Sequence, residues 1–142
     1  MDKQKLALKI VEKMLAEDAF SLWLGIEVED IKPGYAELQM RVREEMVNGF
    51  GLTHGGVAFS LADSALAFAS NSHGRIALAV ENNISFTKKV LAGDILTAKT
   101  EELSLGNRIA VYNVVVTNQD NKRVALFRGT VFRTEEQHFD DT

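Results

Sequence analysis

Polar and apolar positions change their period twice along the chain. Over residues 3–18, Leu6, Leu8, Ile10, Val11, Met14 and Leu15 recur at roughly helical spacing among Lys and Glu, which predicts an amphipathic covering helix. Phe20, Leu22, Trp23 and Leu24 follow before Gly25. From Ile26 the period falls to two. Residues 26–31 and 35–43 alternate around Lys32-Pro33-Gly34, which predicts a hairpin with one wet face. Residues 44–53 carry no period and hold two glycines, so they read as a loop. A second helix is predicted behind it, because Val57 to Ser70 contains neither Gly nor Pro and is rich in Ala and Leu. Its apolar residues go round most of the circumference, which marks a buried helix, yet it is far too short for a bilayer. Gly74 is placed to end it. Residues 75–87, 94–105, 108–118 and 123–133 then read as strands separated by short polar turns, which implies antiparallel neighbours. The order is helix, hairpin, buried helix, then a three- or four-strand meander, which predicts an α+β fold, one strongly curved antiparallel sheet around a buried helix. The outer face or edges of so small a sheet are expected to meet a second subunit.

Length and composition narrow the classes. With 142 residues, the simplest organisation is one domain spanning 1–142, with the first helix at about 3–18 and an acidic, fraying tail at about 134–142. A net charge of −4 speaks against a nucleic-acid partner. Zero cysteines exclude disulfides and thiolate metal sites and suit a reducing compartment. The charged N-terminus has no signal-peptide core and no apolar run reaches membrane length, so the expectation is a soluble, cytoplasmic protein without a membrane partner.

The chemistry concentrates at the loop-to-helix junction. His54-Gly55-Gly56 opens the buried helix, where backbone N–H groups lack intrahelical partners and the dipole is positive. Glycines there leave the backbone open to a carbonyl oxygen that becomes an oxyanion. A tight turn needing glycine for conformational reasons accounts for the same residues. Asp63 is a carboxylate where the pattern calls for an apolar side chain. It is either a polar anchor satisfied by hydrogen bonds, or a general base or nucleophile. Two to three turns separate it from the helix start, so any oxyanion hole it serves lies on a neighbouring chain. Asn48 reads as a turn residue before Gly49, or as a group that holds a carboxylate, water or carbonyl in place. His73, at a helix end, and His138, in the tail, read as solvent-facing. Lys88, Lys89 and Arg108 form either a solvated surface or a basic patch for phosphates. No metal-ligand spacing, phosphate loop or nucleophile elbow is present, so no metal site is expected.

Asn48-x-x-Gly51-x-x-His54-Gly55-Gly56, followed by Ser60-Leu61-Ala62-Asp63, resembles the signature of hotdog-fold acyl-CoA thioesterases, and within them the PaaI-like branch of the phenylacetate pathway. Gly93-Asp94 and Val124-Ala125-Leu126-Phe127-Arg128-Gly129 resemble the same branch. The resemblance covers about Ala16 to Arg133. It implies a hotdog fold, a long helix wrapped by an antiparallel sheet, assembled as homodimers that pair into homotetramers with the site at a dimer interface. It implies hydrolysis of acyl-CoA to free acid and coenzyme A, with no cofactor beyond the coenzyme A of substrate and product. Aryl-acetyl groups such as phenylacetyl or hydroxyphenylacetyl come first and medium-chain fatty acyl groups second. A non-enzymatic acyl-CoA-binding module on the same fold is the alternative. Carried over by position, Asp63 matches the catalytic carboxylate and Gly55 the donor to the thioester oxygen. His54 and Asn48 match the orienting residues, and Gly56, Lys88, Lys89 and Arg108 stand as substrate-binding candidates. Two positions depart from the pattern. Lys88-Lys89 replaces an Arg-Pro of many relatives, and Glu81-Asn82-Asn83 stands where some carry a Ser or Thr that helps hold water.

Overall fold

The computed structural model describes residues 1–140. Asp2 caps helix α1 (Lys3–Glu17) by accepting from Lys5 N–H at 2.8 Å. The apolar stretch behind it does not stay one helix. Asp18 closes α1 through its own N–H to the Leu15 carbonyl and starts α2 (Ala19–Leu24) by accepting from the N–H and Oγ of Ser21. Gly25, at φ 79°, ends α2 in the left-handed region that other residues avoid. Strands β1 (Glu27–Lys32) and β2 (Tyr35–Arg41) form the expected hairpin. The loop behind them contains one 3-10 turn at Glu44–Met46 and a bridge between Val47 and Thr53. Helix α3 (Gly55–Asn71) follows, then β3 (Arg75–Phe86), β4 (Ile95–Leu105), β5 (Ile109–Thr117) and β6 (Arg123–Gln137).

The six strands make one antiparallel sheet in the order β1-β2-β4-β5-β6-β3. Only β4, β5 and β6 form a meander. Of the three- or four-strand meander expected, the three-strand form is present, and β3 pairs with β6, from Arg75 opposite Gln137 to Phe86 opposite Ala125. Residues 87–94 are long enough to carry the chain across the end of the sheet, which a two-residue hairpin turn could not do.

Helix α3 lies in the concave face. Leu61, Ala65, Leu66, Phe68 and Ala69 pack against alternate residues of the strands, among them Leu38, Leu96, Val114 and Phe127. Each fully buried leucine contributes about 1.5–3 kcal/mol of transfer free energy. Gly129 of β6 lies where α3 crosses the sheet: a Cβ there would sit 2.5 Å from Leu66 and 2.8 Å from Asn82 Oδ1. The helix is not apolar on every side. Ser60, Asp63, Ser64 and Ala67 form a half-exposed stripe at helical spacing, and α2 is tied to it by the Ser21–Ser64 hydroxyl pair at 2.8 Å.

Two expectations at the far end are corrected. His73 Nε2 lies 2.6 Å from Glu102, which also accepts from Tyr112 Oη, so this histidine is anchored and not solvent-facing. The acidic end is tied down as well. Strand β6 runs on to Gln137, His138 N–H donates to the Gly74 carbonyl, and His138 Nε2 meets Asn71 Oδ1 at 2.8 Å. The Phe139 ring lies under the ammonium groups of Lys9 and Lys13. Burial and Lys13 hold the His138 imidazole below its ordinary pKa. The last two residues of the expected tail lie outside the described residues.

Candidate active site

The loop before α3 is folded by its own polar groups. Asn48 Oδ1 accepts from the N–H groups of Phe50 and Leu52, at 2.9 and 3.2 Å. Thr53 N–H donates to the Val90 carbonyl and His54 N–H to the Met46 carbonyl. The first of these bonds draws the segment after β3 against the loop. Asn48, Thr53, His54, Gly55, Phe86, Lys88 and Lys89 therefore line one cleft of about 380 Å³. Residues more than thirty positions apart are brought together by two backbone hydrogen bonds and a strand end.

His54 is the N-cap of α3, and its Nδ1 accepts from Gly56 N–H at 3.1 Å. An imidazole that accepts at Nδ1 in its neutral form carries its proton on Nε2. The Gly56 donor is thus occupied. The Gly55 N–H has no acceptor among the described residues, and it stands at the positive end of a 17-residue helix. A Cβ at Gly55 would come 3.1 Å from the Phe86 ring, so a side chain would close the approach to that N–H. Thr53 Oγ1, which lines the same cleft, is buried without a partner. The arrangement is a preformed anion or carbonyl site beside two lysines.

Asp63 lies eight residues into α3 from Gly55, about 12 Å along the axis, on the half-exposed stripe. Its Oδ1 accepts from Asn82 Nδ2 at 3.0 Å. Burial pushes the Asp63 carboxyl above the ordinary range; the Asn82 hydrogen bond opposes this, and the charge of Asp18 adds to it. Asn82 Oδ1 is buried and unpaired. Asn82 pairs with Gly129 across the β3–β6 ladder, and the missing Cβ there makes room for its amide. Asn82 was legible only as a departure in the sequence; strand register decides that it and not Asn83 reaches Asp63. Phe86 and Thr53 left no signal beyond their place at a strand end and before the glycines.

Within one chain, Asn48, His54, Gly55, Lys88 and Lys89 share the cleft, and Gly56 adjoins it through His54. Asp63 does not reach them. Arg108 is at the other end of the molecule: its carbonyl accepts from Arg133 N–H beside the β4–β5 turn, near the C-terminal end of α3. That end is about 24 Å along the helix from Gly55. No helix among the described residues is long and apolar enough to cross a membrane.

The thioesterase superfamily profile matches residues 50–125, the stretch from the loop before α3 to the last strand. The acyl-coenzyme A thioesterase PaaI of Escherichia coli K12 is 42% identical over 120 residues, 84% of this chain and 86% of that protein. The solved E. coli PaaI protein, from the phenylacetic acid degradation operon, superposes with a TM-score of 0.93 at 38% identity, covering 96% of this chain and 99% of that one. A Streptococcus pneumoniae thioesterase protein solved with coenzyme A superposes with a TM-score of 0.82 at 28% identity, over 88% of this chain and 98% of that one. The chain belongs to the thioesterase superfamily, as a hotdog-fold thioesterase of the PaaI-like branch.

Proposed function

We propose that the protein hydrolyses acyl-CoA thioesters to the free acid and coenzyme A, with aryl-acetyl groups as the preferred acyl class. The observation that carries this reading is the unoccupied Gly55 N–H at the start of α3, in a cleft that also presents Lys88 and Lys89. The thioester oxygen accepts from Gly55 N–H, where charge growing on that oxygen meets a fixed dipole; one such donor is worth about 3–4 kcal/mol in the barrier. The neutral His54 imidazole offers its Nε2 proton, and Lys88 and Lys89 draw the phosphates of the CoA arm. Asn48 holds the loop that shapes the cleft.

Asp63 reaches this point from a second subunit in our reading. Support comes from the sheet edges. Strand β1 is shielded by α1 and carries Glu27, Glu29, Asp30 and Lys32 with a bulge. Strand β3 leaves its outer edge bare and exposes Leu78 by 58% and Val80 by 61%. A twofold pairing along β3 gives a homodimer with two composite sites, and pairs of dimers complete a homotetramer. Asp63 then takes a proton from water as the water oxygen bonds to the acyl carbon. Collapse breaks the carbon–sulfur bond and the proton passes to the leaving thiolate. In the covalent variant an Asp63 oxygen bonds to the acyl carbon as the carbon–sulfur bond breaks and coenzyme A leaves as thiolate; water then attacks the aspartyl carbonyl of the mixed anhydride, releasing the acid, and one water proton goes to the thiolate. The thioester is already activated, so neither route calls for a metal or redox group.

Thiol release from phenylacetyl-, benzoyl-, hexanoyl- and acetyl-CoA tests the reading, with the first expected to have the highest kcat/KM. A protein that binds these esters and releases no thiol is a binding module, and the proposal fails. A single turnover in heavy-oxygen water separates the two routes, because only the covalent one labels the Asp63 carboxylate.

A further inference from the structure

We infer that a second cleft, between α2, the loop after β2 and the start of α3, receives the acyl group, and that Trp23 and Phe20 select aromatic acyl groups there. This rests on the thioesterase reading and adds residues that the catalytic assignment does not use. The cleft measures about 340 Å³ and shares His54 with the first. The face of α3 it exposes is Gly56, Val57 and Ser60, one step round the helix from Gly55 and Ala58 of the first cleft. A carbonyl held at the start of α3 therefore has a lysine-bearing cleft on one side and this one on the other. The polar CoA arm fits the first, and the acyl group is left for the second.

The walls suit a flat, uncharged group. Phe20 and Trp23 lie nearly parallel, at 10° and 6.3 Å between centroids, and remain 56% and 53% exposed. Large aromatic rings carried half-bare on a short helix bury little within their own chain and have area to give to a ligand. Trp23 is also held in place. Arg43 donates to the carbonyls of Trp23 and Leu24, at 2.7 and 3.1 Å, and its guanidinium stands 4.9 Å from the Trp23 ring centroid. Arg43 is paired in turn with Glu45, the carboxylate on this cleft's lining, at 2.5 Å. That pairing leaves no free charge for an acyl group ending in a carboxylate. A benzene-sized ring occupies a space of about 150 Å³, so the cleft holds an aryl-acetyl group.

Trp23 is the only tryptophan in the sequence, so it reports its own occupancy. The probe is the uncleavable thioether S-phenethyl-CoA, titrated while tryptophan emission is followed, with coenzyme A alone as the comparison. The thioether should change the emission saturably and coenzyme A should not. Trp23→Ala should lower kcat/KM for phenylacetyl-CoA about 10- to 100-fold and leave acetyl-CoA within about twofold. Trp23→Phe should recover most of the loss, and Leu8→Ala, another exposed apolar side chain, should change nothing. If Trp23→Ala does not fold, Phe20→Ala should give the same bias toward acetyl-CoA. Unchanged emission at saturation, or an equal loss for both esters, overturns the acyl assignment while leaving the hydrolase reading intact. Emission changes without thiol release from any ester would do the reverse.

Discussion

A carboxylate half-buried beside an amide and near another carboxylate costs stability, and Asp63 is such a group. Its carboxyl titrates above the ordinary range because burial disfavours the charge. Between the unfolded and the raised folded pKa the native state binds more protons than the unfolded one. Stability therefore falls as pH rises through that window and stays lower above it. Asp63→Asn should thus be at least as stable as the parent at neutral pH, with the difference vanishing in acid below the unfolded pKa. Thermal melts at two pH values read this directly. The same variant should lose about 10²- to 10⁴-fold in kcat, and retention of normal turnover would remove Asp63 from the mechanism. Among the described residues, Asn82 supplies the one hydrogen bond that favours the ionised form. Asn82→Ala should push the acidic limb of the kcat/KM profile to higher pH, whereas a merely structural contact would lower the plateau and leave the limb in place.

At the scale of elements, the contact between β6 and α3 controls that pair. Gly129 lets Leu66 and the Asn82 amide occupy space a Cβ would claim. Leu66 is fully packed and cannot retreat. Gly129→Ala should cost about 1–3 kcal/mol by overpacking. It should also weaken catalysis beyond the loss of folded protein, because the Asn82 side chain must move off Asp63; denaturant melts and kcat measured on the same sample separate the two effects. Most elements were legible in the sequence because their periods are strong: the β1–β2 alternation, the Ala-rich helix and the meander of β4, β5 and β6. The end of the first helix near residue 18 was legible too, but the second helix behind it was not, since Asp18 looks like one more surface charge. Its backbone N–H closes one helix and its side chain opens the next, a local exchange of hydrogen bonds that periodicity does not see.

For the whole molecule, the dimer proposed above makes the bare β3 edge the place where the two halves of the site are brought together. Leu78→Lys with Val80→Lys places two charges on that edge and should leave the chain folded as a monomer, because lysines on an edge strand repel and must be desolvated if another strand pairs there. Sedimentation should then show the smaller species and thiol release should collapse, although neither residue lines the cleft around Gly55. A fully active monomer would mean that Asp63 reaches its substrate without a partner. The position of β3 beside β6 is the part of the topology that sequence order left open, because adjacency in sequence favours adjacency in the sheet and the longer connection after β3 overrides it.

The amino-acid order alone determined which residues have reactive chemistry and which elements carry them: a glycine-opened helix, an acid inside an apolar run, two lysines at a bend. Those are local properties, set by backbone freedom, dipole direction and hydrophobic period. Tertiary structure decided which of them share a space. It placed the lysines beside Gly55 through one Thr53–Val90 bond, chose Asn82 over Asn83 by strand register, tied down both outlying histidines and sent Arg108 to the opposite end. Such juxtapositions depend on pairings between residues far apart in the chain, and no short-range pattern encodes them.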